Sequence, residues 1–404
     1  MKLKVLHVVA TPFPANQGTA GAIRELVYAL FKRGHEIHVV TYYQGQNNIE
    51  LPDIRIHRIP RLGKLHDFFV GFTYKRPLFD LALAFKTLRV ARRIRPHIIH
   101  AYHHEATLAA SLARLITRIP MIYHCVASME EELPLFLRPG FLFRKVGKLL
   151  DVFIPRLADY CVAVSKDLVD SICRSGFPRE NVFYLPTTID ANTMINGNGA
   201  IFRERYGMVS NPIVVYTGVI NEFQGIDNLL KSMTVVVREL PSTKLVMAIS
   251  MFDEIGVKKY KTLASELGLR GNVVFLEGFP FSELPEVLAA ADVTVMPRGK
   301  CAGLPVKLLN YMAAGKPVAS MRGGSAQLIE DGKNGLLADS WEELGEKILV
   351  LLKDNKLAQR LGEAGVMDLA KFTPDGAAEK MEQIYMSLLK KIPNSTHTDF
   401  SDDI

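Results

Sequence analysis

Predicted strands and helices alternate along almost the whole of this 404-residue chain. Runs rich in β-branched residues, such as Val5 to Val9 and Ile37 to Thr41, are separated by segments with apolar residues at helical spacing. The series stops after Asp190, and a second series of the same kind begins at Pro212. Such alternation predicts parallel sheets covered by helices, so we expect an α/β protein with two Rossmann-like, doubly wound domains.

We expect a first domain over residues 1–190 and a second over residues 201–373. Residues 191–200 are small and polar and are predicted to be the linker. Residues 392–404 lack periodicity and are predicted to be disordered. Ligands of open parallel sheets bind at the carboxyl ends of the strands. Two such domains facing across a cleft would therefore suit a protein that joins two substrates.

Composition excludes several classes of protein. Apolar residues make up 48% of the chain and charged residues 23%, which is typical of a globular protein. The four cysteines are scattered without a C-x-x-C pair, so neither a zinc knuckle nor a disulfide framework is predicted. No apolar run is long enough to span a membrane and the N-terminus resembles a strand, so we expect a cytoplasmic protein, either free or peripheral on the inner face of the membrane.

The net charge of +7 is compatible with contact to an anionic membrane or to a phosphate-bearing substrate. No basic tract is interleaved with aromatic residues, so nucleic-acid binding is not predicted.

The stretch from Met296 to Ser320 has the features of an anion site. A small-residue loop leads into a helix that is predicted to begin near Val306, with Pro305 in its first turn. The loop ends with Gly303, Leu304 and Pro305. Nearby cations are Arg298, Lys300 and Lys307. Free N–H groups at a helix N-terminus bind phosphate, although an ordinary connection with surface cations would look the same.

A second small-residue loop precedes the first helix and contains Gly18, Thr19 and Gly21. These residues could bring backbone N–H groups close to a phosphate, and a purely structural turn is an equal alternative. The spacing is not G-x-G-x-x-G, and the second strand has no acidic residue at its end. A nicotinamide cofactor is therefore disfavoured.

Histidines provide two further candidates. His124 lies just past a short apolar strand, where it could bond to a substrate hydroxyl or serve as a structural histidine. The run from Tyr102 to Glu105 suggests a metal, but adjacent histidines on a strand point in different directions and no H-E-x-x-H follows. We therefore predict a polar strand end there and no metal site.

The segment from Leu133 to Arg156 is rich in phenylalanine and leucine and contains five cations and one acidic residue. A basic amphipathic helix of this kind can lie in a membrane interface. The alternative is a core helix whose cations face water. We favour peripheral membrane contact because Phe141 to Phe143 is bulky and the charge is one-sided.

Several motifs in order resemble the family-four retaining glycosyltransferases of GT-B fold. They are T-P-F-P-A-N-Q-G-T-A-G, L-A-D-Y-C-V-A-V-S-K-D-L, V-V-Y-T-G-V-I-N-E-F-Q-G-I-D-N-L-L and P-V-K-L-L-N-Y-M-A-A-G-K-P-V-A-S. The resemblance covers roughly residues 4–390. It implies that the first half binds an acceptor and the second a nucleotide-diphosphate sugar, without metal or other cofactor. It also implies that a last helix, 374–391, completes the first domain.

The same resemblance implies roles for individual residues. Gly278 and Phe279 would meet the nucleotide base through backbone groups, and His124 would lie near the donor sugar as the catalytic candidate. The loop before the helix would face the sugar and diphosphate. The full set assigned to the donor is Gly218, Asn221, Gln224, Gly278, Phe279, Arg298, Gly303, Leu304, Pro305, Lys307 and Asn310.

The chain departs from the family pattern at several positions, including the usual N-G-V-D near the linker, which is Thr187-Thr188-Ile189-Asp190 here. Two glutamates of the family are replaced by Ala302 and Asn310, and an Arg/Lys pair that grips the diphosphate is replaced by Val219 and Gln224. Two hypotheses follow. Either Arg298 and Lys307 take over the diphosphate, which leaves a retaining glycosyltransferase of cell-surface polysaccharide or glycolipid synthesis, or the chain is a non-catalytic binding subunit of a glycan-assembly complex.

Overall fold

The computed structural model describes residues 2–15, 18–45, 51, 53–61, 76–137, 139–250, 254–300, 303–325 and 328–391. Ala302 and the predicted disordered tail 392–404 lie outside the described residues. The chain divides into two compact units. Unit 1 comprises Met1–Thr187 with Pro374–Ile404, and unit 2 comprises Thr188–Thr373.

Unit 1 is built on a parallel sheet whose described strands follow the order β3-β2-β1-β4-β5-β6-β7. The strands are β1 (Lys4–Val9), β2 (Glu36–Thr41), β3 (Arg55–Arg58), β4 (Ile98–Tyr102), β5 (Met121–Cys125), β6 (Tyr160–Ala163) and β7 (Val182–Tyr184). The helices are α1 (Gly18–Lys32), α2 (Arg76–Ile94), α3 (His103–Thr117), α4 (Met129–Phe136), α5 (Gly140–Phe153), α6 (Lys166–Arg174) and the C-terminal α16 (Pro374–Lys391).

Helix α16 belongs to unit 1 because its apolar face joins the core on which α1 packs. Met381 and Tyr385 are buried there with Leu26 and Leu30 of α1. At the rim, Glu382 accepts hydrogen bonds from Arg33 at 2.8 Å and from His35 at 2.8 Å.

Unit 2 has a second parallel sheet in the order β10-β9-β8-β11-β12-β13. Its strands are β8 (Ile213–Gly218), β9 (Lys244–Ile249), β10 (Val273–Glu277), β11 (Val293–Met296), β12 (Val318–Met321) and β13 (Leu336–Ala338). Its helices are α7 (Asn192–Ile195), α8 (Gly199–Arg205), α9 (Ile226–Glu239), α10 (Glu254–Glu266), α11 (Leu284–Ala290), α12 (Val306–Ala313), α13 (Arg322–Ser325), α14 (Trp341–Lys353) and α15 (Asn355–Asp368).

The prediction of two Rossmann-like, doubly wound units is confirmed. None of the helices among the described residues is both long enough and apolar enough to cross a membrane.

The predicted linker at 191–200 needs correction, because this segment forms α7 and the start of α8 and belongs to unit 2. Its glycines allow close packing on α11. A Cβ atom on Gly197 would lie 1.9 Å from the carbonyl oxygen of Pro285, and one on Gly199 would lie 2.6 Å from the Ala289 carbonyl carbon. Met194 is buried beside them. The boundary therefore lies at Thr187, before this segment.

Three histidines lie side by side on the core face of the unit 1 sheet: His7, His100 and His124. Nε2 of His100 is hydrogen-bonded to Nδ1 of His124 at 3.1 Å. Nδ1 of His100 is hydrogen-bonded to the Tyr385 hydroxyl at 2.7 Å, and this bond connects α16 to the sheet. Rings of adjacent strands stack, with 5.2 Å between the centroids of His100 and His124. Burial lowers the pKa of His7 and of His124 to about 3 and that of His100 well below its usual value. All three imidazoles are therefore neutral in the folded unit.

Acidification is expected to destabilise unit 1 through these imidazoles. Each is protonated in the unfolded chain below about pH 6.5 but stays neutral in the folded chain, so each lowers the free energy of unfolding by about 1.4 kcal/mol per pH unit of acidification. The loss ends only near the folded pKa, which is about 3 for His7 and His124. Urea unfolding between about pH 7 and about pH 5 measures the slope. His7→Phe should reduce this slope by about 1.4 kcal/mol per pH unit, the contribution of one proton. An unchanged slope in this variant would contradict the prediction.

Candidate functional site

Helix α12 is fastened to the carboxyl end of β8 by a buried tyrosine. The Tyr311 hydroxyl accepts hydrogen bonds from the Thr217 backbone N–H at 2.9 Å and from its side-chain hydroxyl at 3.1 Å. Burial raises the pKa of Tyr311 to about 12, so it remains a neutral phenol. Because Lys307 is four residues earlier on the same helix, it projects over the same strand end.

The ammonium group of Lys307 lies at the centre of the candidate site. It donates to the Tyr216 hydroxyl at 2.9 Å and to Oε1 of Gln224 at 2.8 Å. Gly218 leaves room for it, since a Cβ atom there would lie 2.9 Å from Nζ. The ammonium is therefore hydrogen-bonded to the side chain at position 224, and the hypothesis that Arg298 and Lys307 take over the diphosphate stays a prediction.

The loop after β8 is closed by its own side chains. Asn221 begins a single 3-10 turn and accepts from the Gln224 N–H at 3.1 Å. The Tyr216 hydroxyl donates to the Val219 carbonyl at 2.6 Å. The turn ends at Gly225, where φ is 72°. These bonds aim Gln224 inward, where its residue is 8% exposed.

The segment after β11 carries Arg298 and is held by close backbone approaches. A Cβ atom on Gly225 would lie 2.3 Å from the Pro297 carbonyl oxygen, and one on Gly324 would lie 2.1 Å from that of Arg298. The Arg298 guanidinium lies 3.4 Å from the centroid of the Phe223 ring. Arg298 and Lys307 therefore both contact the 219–225 loop, at Phe223 and at Gln224 respectively.

Other residues predicted to bind the donor lie on α12 and in the segment just before it. Helix α12 begins at Val306, so Pro305 is its N-cap rather than its first residue. Leu304 and Asn310 are both 8% exposed, and Gly303 is half-buried. The first-turn N–H groups of α12 and the ammonium of its second residue give this end of the helix a positive potential suited to an anion.

Gly278 and Phe279 follow β10, and Gly278 has a φ of 63°. The Phe279 N–H already donates to the Ile249 carbonyl at 2.8 Å. The backbone group that Phe279 can offer to a base is consequently its carbonyl oxygen.

Sequence reasoning missed Tyr216, Tyr311 and Phe223, which position the cations. Tyr311 could have been found from its i+4 spacing to Lys307 on the predicted helix. Nothing in the sequence indicates that Phe223 lies beneath Arg298, because the contact joins loops more than seventy residues apart.

In unit 1, the predicted phosphate loop differs from expectation. Gly18, Thr19 and Gly21 lie in the first turn of α1 rather than before it, and Gly21 is buried. Gly18 has a φ of 59°, so the helix starts from a left-handed residue.

The position predicted for His124 also needs correction. Strand β5 continues to Cys125, so His124 lies within the strand and not past its end. The residue is 6% exposed, and its Nδ1 atom is engaged with His100. A polar histidine after the apolar pair I-Y suggests a strand end. In the structure, however, the rings of neighbouring residues bury His124 within the strand.

The reason given against a metal at Tyr102 to Glu105 was wrong, although the absence of a metal remains a prediction. Tyr102 ends β4 and His103 to Glu105 begin α3, where ligand atoms of His103, His104 and Glu105 lie within 4.8 Å of one another. Two of the three already have partners: His104 bonds to Asp151 at 3.2 Å, and Glu105 to Arg76 at 3.0 Å.

A polar cluster that the sequence did not reveal lies beside them at the ends of β2 and β4. Tyr42 donates to the Asp80 carboxylate, and the Arg76–Glu105 ion pair is adjacent. Burial raises the pKa of Asp80 to about 6. Burial, the largest single effect, opposes ionisation of Glu105 too, but Arg76 together with His103, His104 and a backbone hydrogen bond outweighs it, so the pKa of Glu105 is lowered.

Comparison with known families matches both units. Residues 17–193 match the family described as Glycosyltransferase Family 4, and residues 201–366 match Glycosyl transferases group 1. Fold and sequence thus define a glycosyltransferase of the GT-B class. Within that class, the chain belongs to the family-four glycosyltransferases.

Two relatives illustrate the range of similarity. A GDP-mannose-dependent alpha-(1-6)-phosphatidylinositol monomannoside mannosyltransferase of Mycolicibacterium smegmatis is 31% identical over 52% of this chain and 56% of its own length. The N-acetyl-alpha-D-glucosaminyl L-malate synthase of Bacillus anthracis is 23% identical over 98% of this chain and 99% of its own. The chain therefore spans about half of the first relative and nearly all of the second.

Solved structures share the fold. The sucrose-phosphate synthase of Thermosynechococcus elongatus has a TM-score of 0.83 at 19% identity, covering 97% of this chain and 100% of its own. Anabaena HepE in complex with UDP-glucose has a TM-score of 0.77 at 19% identity, covering 95% and 100%.

Replacing Gly218 should disturb the site directly. Gly218→Ala is expected to lower the free energy of unfolding by about 1–3 kcal/mol, because alanine disfavours a backbone with positive φ and the new methyl group meets the Lys307 ammonium. The φ of Gly218 is 121°. Chemical denaturation measures the change. Gly271→Ala is the matched control, since Gly271 has open space around it and no positive φ. Equal stability of the two variants would refute the explanation.

Proposed function

We propose that this chain transfers a sugar from a nucleotide-diphosphate sugar to an acceptor hydroxyl, with the diphosphate bound in unit 2 by Lys307, Arg298 and the N-terminus of α12. The observation that carries the proposal is the position of the Lys307 ammonium, 2.8 Å from Gln224 Oε1. Family membership supports the reaction class, and the positive helix end supports an anionic ligand.

In this proposal the protein's main task is to position both substrates and stabilise the departing diphosphate. Lys307 and Arg298 neutralise the developing charge, and the N–H groups at Gly303 to Val306 bind phosphate oxygens. Asn310 bonds to a ribose hydroxyl, and Gly218, Asn221 and Gln224 shape the loop beneath the diphosphate. Gly278 and the Phe279 carbonyl face the base. No metal or other cofactor is required, and the leaving phosphate deprotonates the acceptor on the same face, so configuration is retained.

The proposed acceptor is a glycan or lipid-linked hydroxyl bound by unit 1, in the synthesis of cell-surface polysaccharide or glycolipid. Similarity to two relatives, a phosphatidylinositol monomannoside mannosyltransferase and a D-inositol 3-phosphate glycosyltransferase, favours a polyol-bearing acceptor. The first turn of α1, with Gly18, Thr19 and Gly21, and the strand end near Glu105 are the proposed contact regions.

Peripheral membrane contact through residues 133–156 is part of the same proposal. Helix α5 exposes Phe141, Leu149 and Phe153 at 72%, 68% and 50%. Lys145 and Lys148 are exposed on the same helix. Such a helix can lie in a membrane interface and bring unit 1 to a lipid-linked acceptor.

The competing function is that of a non-catalytic subunit in a glycan-assembly complex. It is favoured by the loss of a cation at Val219 and of a carboxylate at Ala302. Only the transferase would form a glycosylated product, so detection of that product distinguishes the two functions.

Donor binding should depend on Lys307. Lys307→Met is expected to weaken binding of the preferred nucleoside diphosphate by about 10- to 150-fold, because a charge-assisted hydrogen bond of about 1.5–3 kcal/mol is lost. Isothermal titration with UDP, GDP and ADP identifies the base and measures the change. Lys231→Met, at an exposed position on α9, is the matched control and should bind as the wild type does. Equal binding by Lys307→Met and wild type would exclude this diphosphate site.

Transfer should occur without added metal and with retention. Purified protein is incubated with nucleotide sugars and a membrane lipid extract in the presence of EDTA, and the anomeric configuration of the product is read by NMR. We expect the product to keep the donor's configuration. Tight nucleotide binding with no product from any donor would support the non-catalytic alternative, and an inverted product would contradict the proposed mechanism.

A further inference from the structure

Exposed apolar side chains are concentrated on one group of helices in unit 1. Of the eighteen large hydrophobic residues that are exposed in the described part of the chain, six lie on α2 and α3 and five on α5. Helices α2 and α3 pack against each other. The six residues on this pair are Leu78, Leu81, Phe85, Leu108, Leu115 and Ile116.

Helix α2 carries two apolar stripes, and the fold covers only one. The stripe that includes Phe79, Leu83 and Val90 is buried. The second stripe, Leu78, Leu81 and Phe85, is 53%, 55% and 59% exposed. A helix that is apolar on both sides is normally buried on both, so the outer stripe indicates contact with a further apolar phase.

The same outer face becomes basic toward the C-terminal end of α2. Arg89, Arg92 and Arg93 are exposed and have no ion pair with any described residue. With Phe85 and Leu88 they line a depression of about 360 Å³. Three guanidinium groups beside an aromatic ring suit a phosphate-bearing group whose hydrocarbon part lies over Phe85.

We propose that the outer face of α2, with its exposed apolar stripe and three arginines, binds an anionic bilayer surface, with phospholipid headgroups at Arg89, Arg92 and Arg93; the exposed apolar residues of α3 lie on the helix packed beside it. Charge decides the occupant. A second copy packed on this face by two-fold symmetry would bury the arginine clusters of both copies in one interface, which is costly without acidic partners. A bilayer supplies phosphate for the arginines and acyl chains for the leucines at one surface.

The proposed contact lies on α2 and α3, whereas the peripheral contact that is part of the proposed function lies on α5. The proposed contact is also outside the diphosphate site of unit 2. Loss of lipid binding through α2 would therefore leave nucleotide binding intact, and failure of the transferase proposal would leave the lipid proposal standing.

Vesicle sedimentation of the full chain tests the proposal. The wild type should partition onto phosphatidylcholine vesicles that contain phosphatidylglycerol and not onto phosphatidylcholine alone, and salt should weaken the binding. Arg89→Gln/Arg92→Gln should reduce partitioning by about 25-fold, since each cation near the surface contributes roughly fivefold. The control Lys231→Gln/Lys356→Gln removes two exposed cations of unit 2 and should leave partitioning near that of the wild type.

The apolar component is tested with Leu81→Ser/Phe85→Ser against Val209→Ser/Ile255→Ser, two exposed apolar positions of unit 2. Only the first pair should lose binding, with unchanged circular dichroism and thermal unfolding. Leu149→Ser/Phe153→Ser separates the contribution of α5. If the α2 variants bind as the wild type does, or if only the α5 variant loses binding, the proposal is overturned.

Two further outcomes identify another occupant and also overturn the proposal. Binding to native membranes but not to protein-free anionic vesicles would indicate a protein partner. A wild-type dimer in sedimentation velocity that Leu81→Ser/Phe85→Ser converts to monomer would indicate a second copy of the chain.

Discussion

The contact between Lys307 and Tyr216 joins the parts of unit 2 on which the candidate donor site depends. The tyrosine belongs to β8 and the lysine to α12. The Tyr216 hydroxyl accepts a hydrogen bond from the Lys307 ammonium and donates one to the Val219 carbonyl. Because Tyr311 fixes the same helix to Thr217, the position of the ammonium is set by a packed core and not by a free surface side chain. A cation held in this way needs little reorganisation when a diphosphate binds.

Sequence periodicity was sufficient for the architecture because buried strands and covering helices impose it on the chain. It failed where tertiary contacts decide. The segment that contains Gly197 and Gly199 has the composition of a linker. Its glycines are instead required because α11 packs directly against them. Strand β3 and strand β13 are only four and three residues long, too short for a period to be recognised, and they exist because an adjacent strand supplies the hydrogen bonds.

The candidate site was predictable in its parts and not in its arrangement. Lys307 and Arg298 stood out as cations beside a small-residue loop, but which neighbours they contact follows from strand order. His124 shows the reverse case: the sequence suggests a polar group at a strand end, while stacking with His100 and Tyr102 places it inside the sheet. Polarity in the sequence therefore indicated that His124 is a notable polar residue, but it did not predict the buried surroundings of this side chain.

The position of Lys307 within α12 bears on whether the site still binds a ligand. It is the second residue of the helix, where the helix dipole makes a cation unfavourable and an anion favourable. Hydrogen bonds to Tyr216 and Gln224 hold the ammonium there, but both partners are neutral at physiological pH, and burial keeps the pKa of Tyr216 well above its usual value. The ammonium and the positive end of the helix dipole consequently add to the same positive potential. A positive potential at the N-terminal end of a helix attracts anions, phosphate among them. It therefore favours a retained diphosphate-binding role for this loop over a purely structural one.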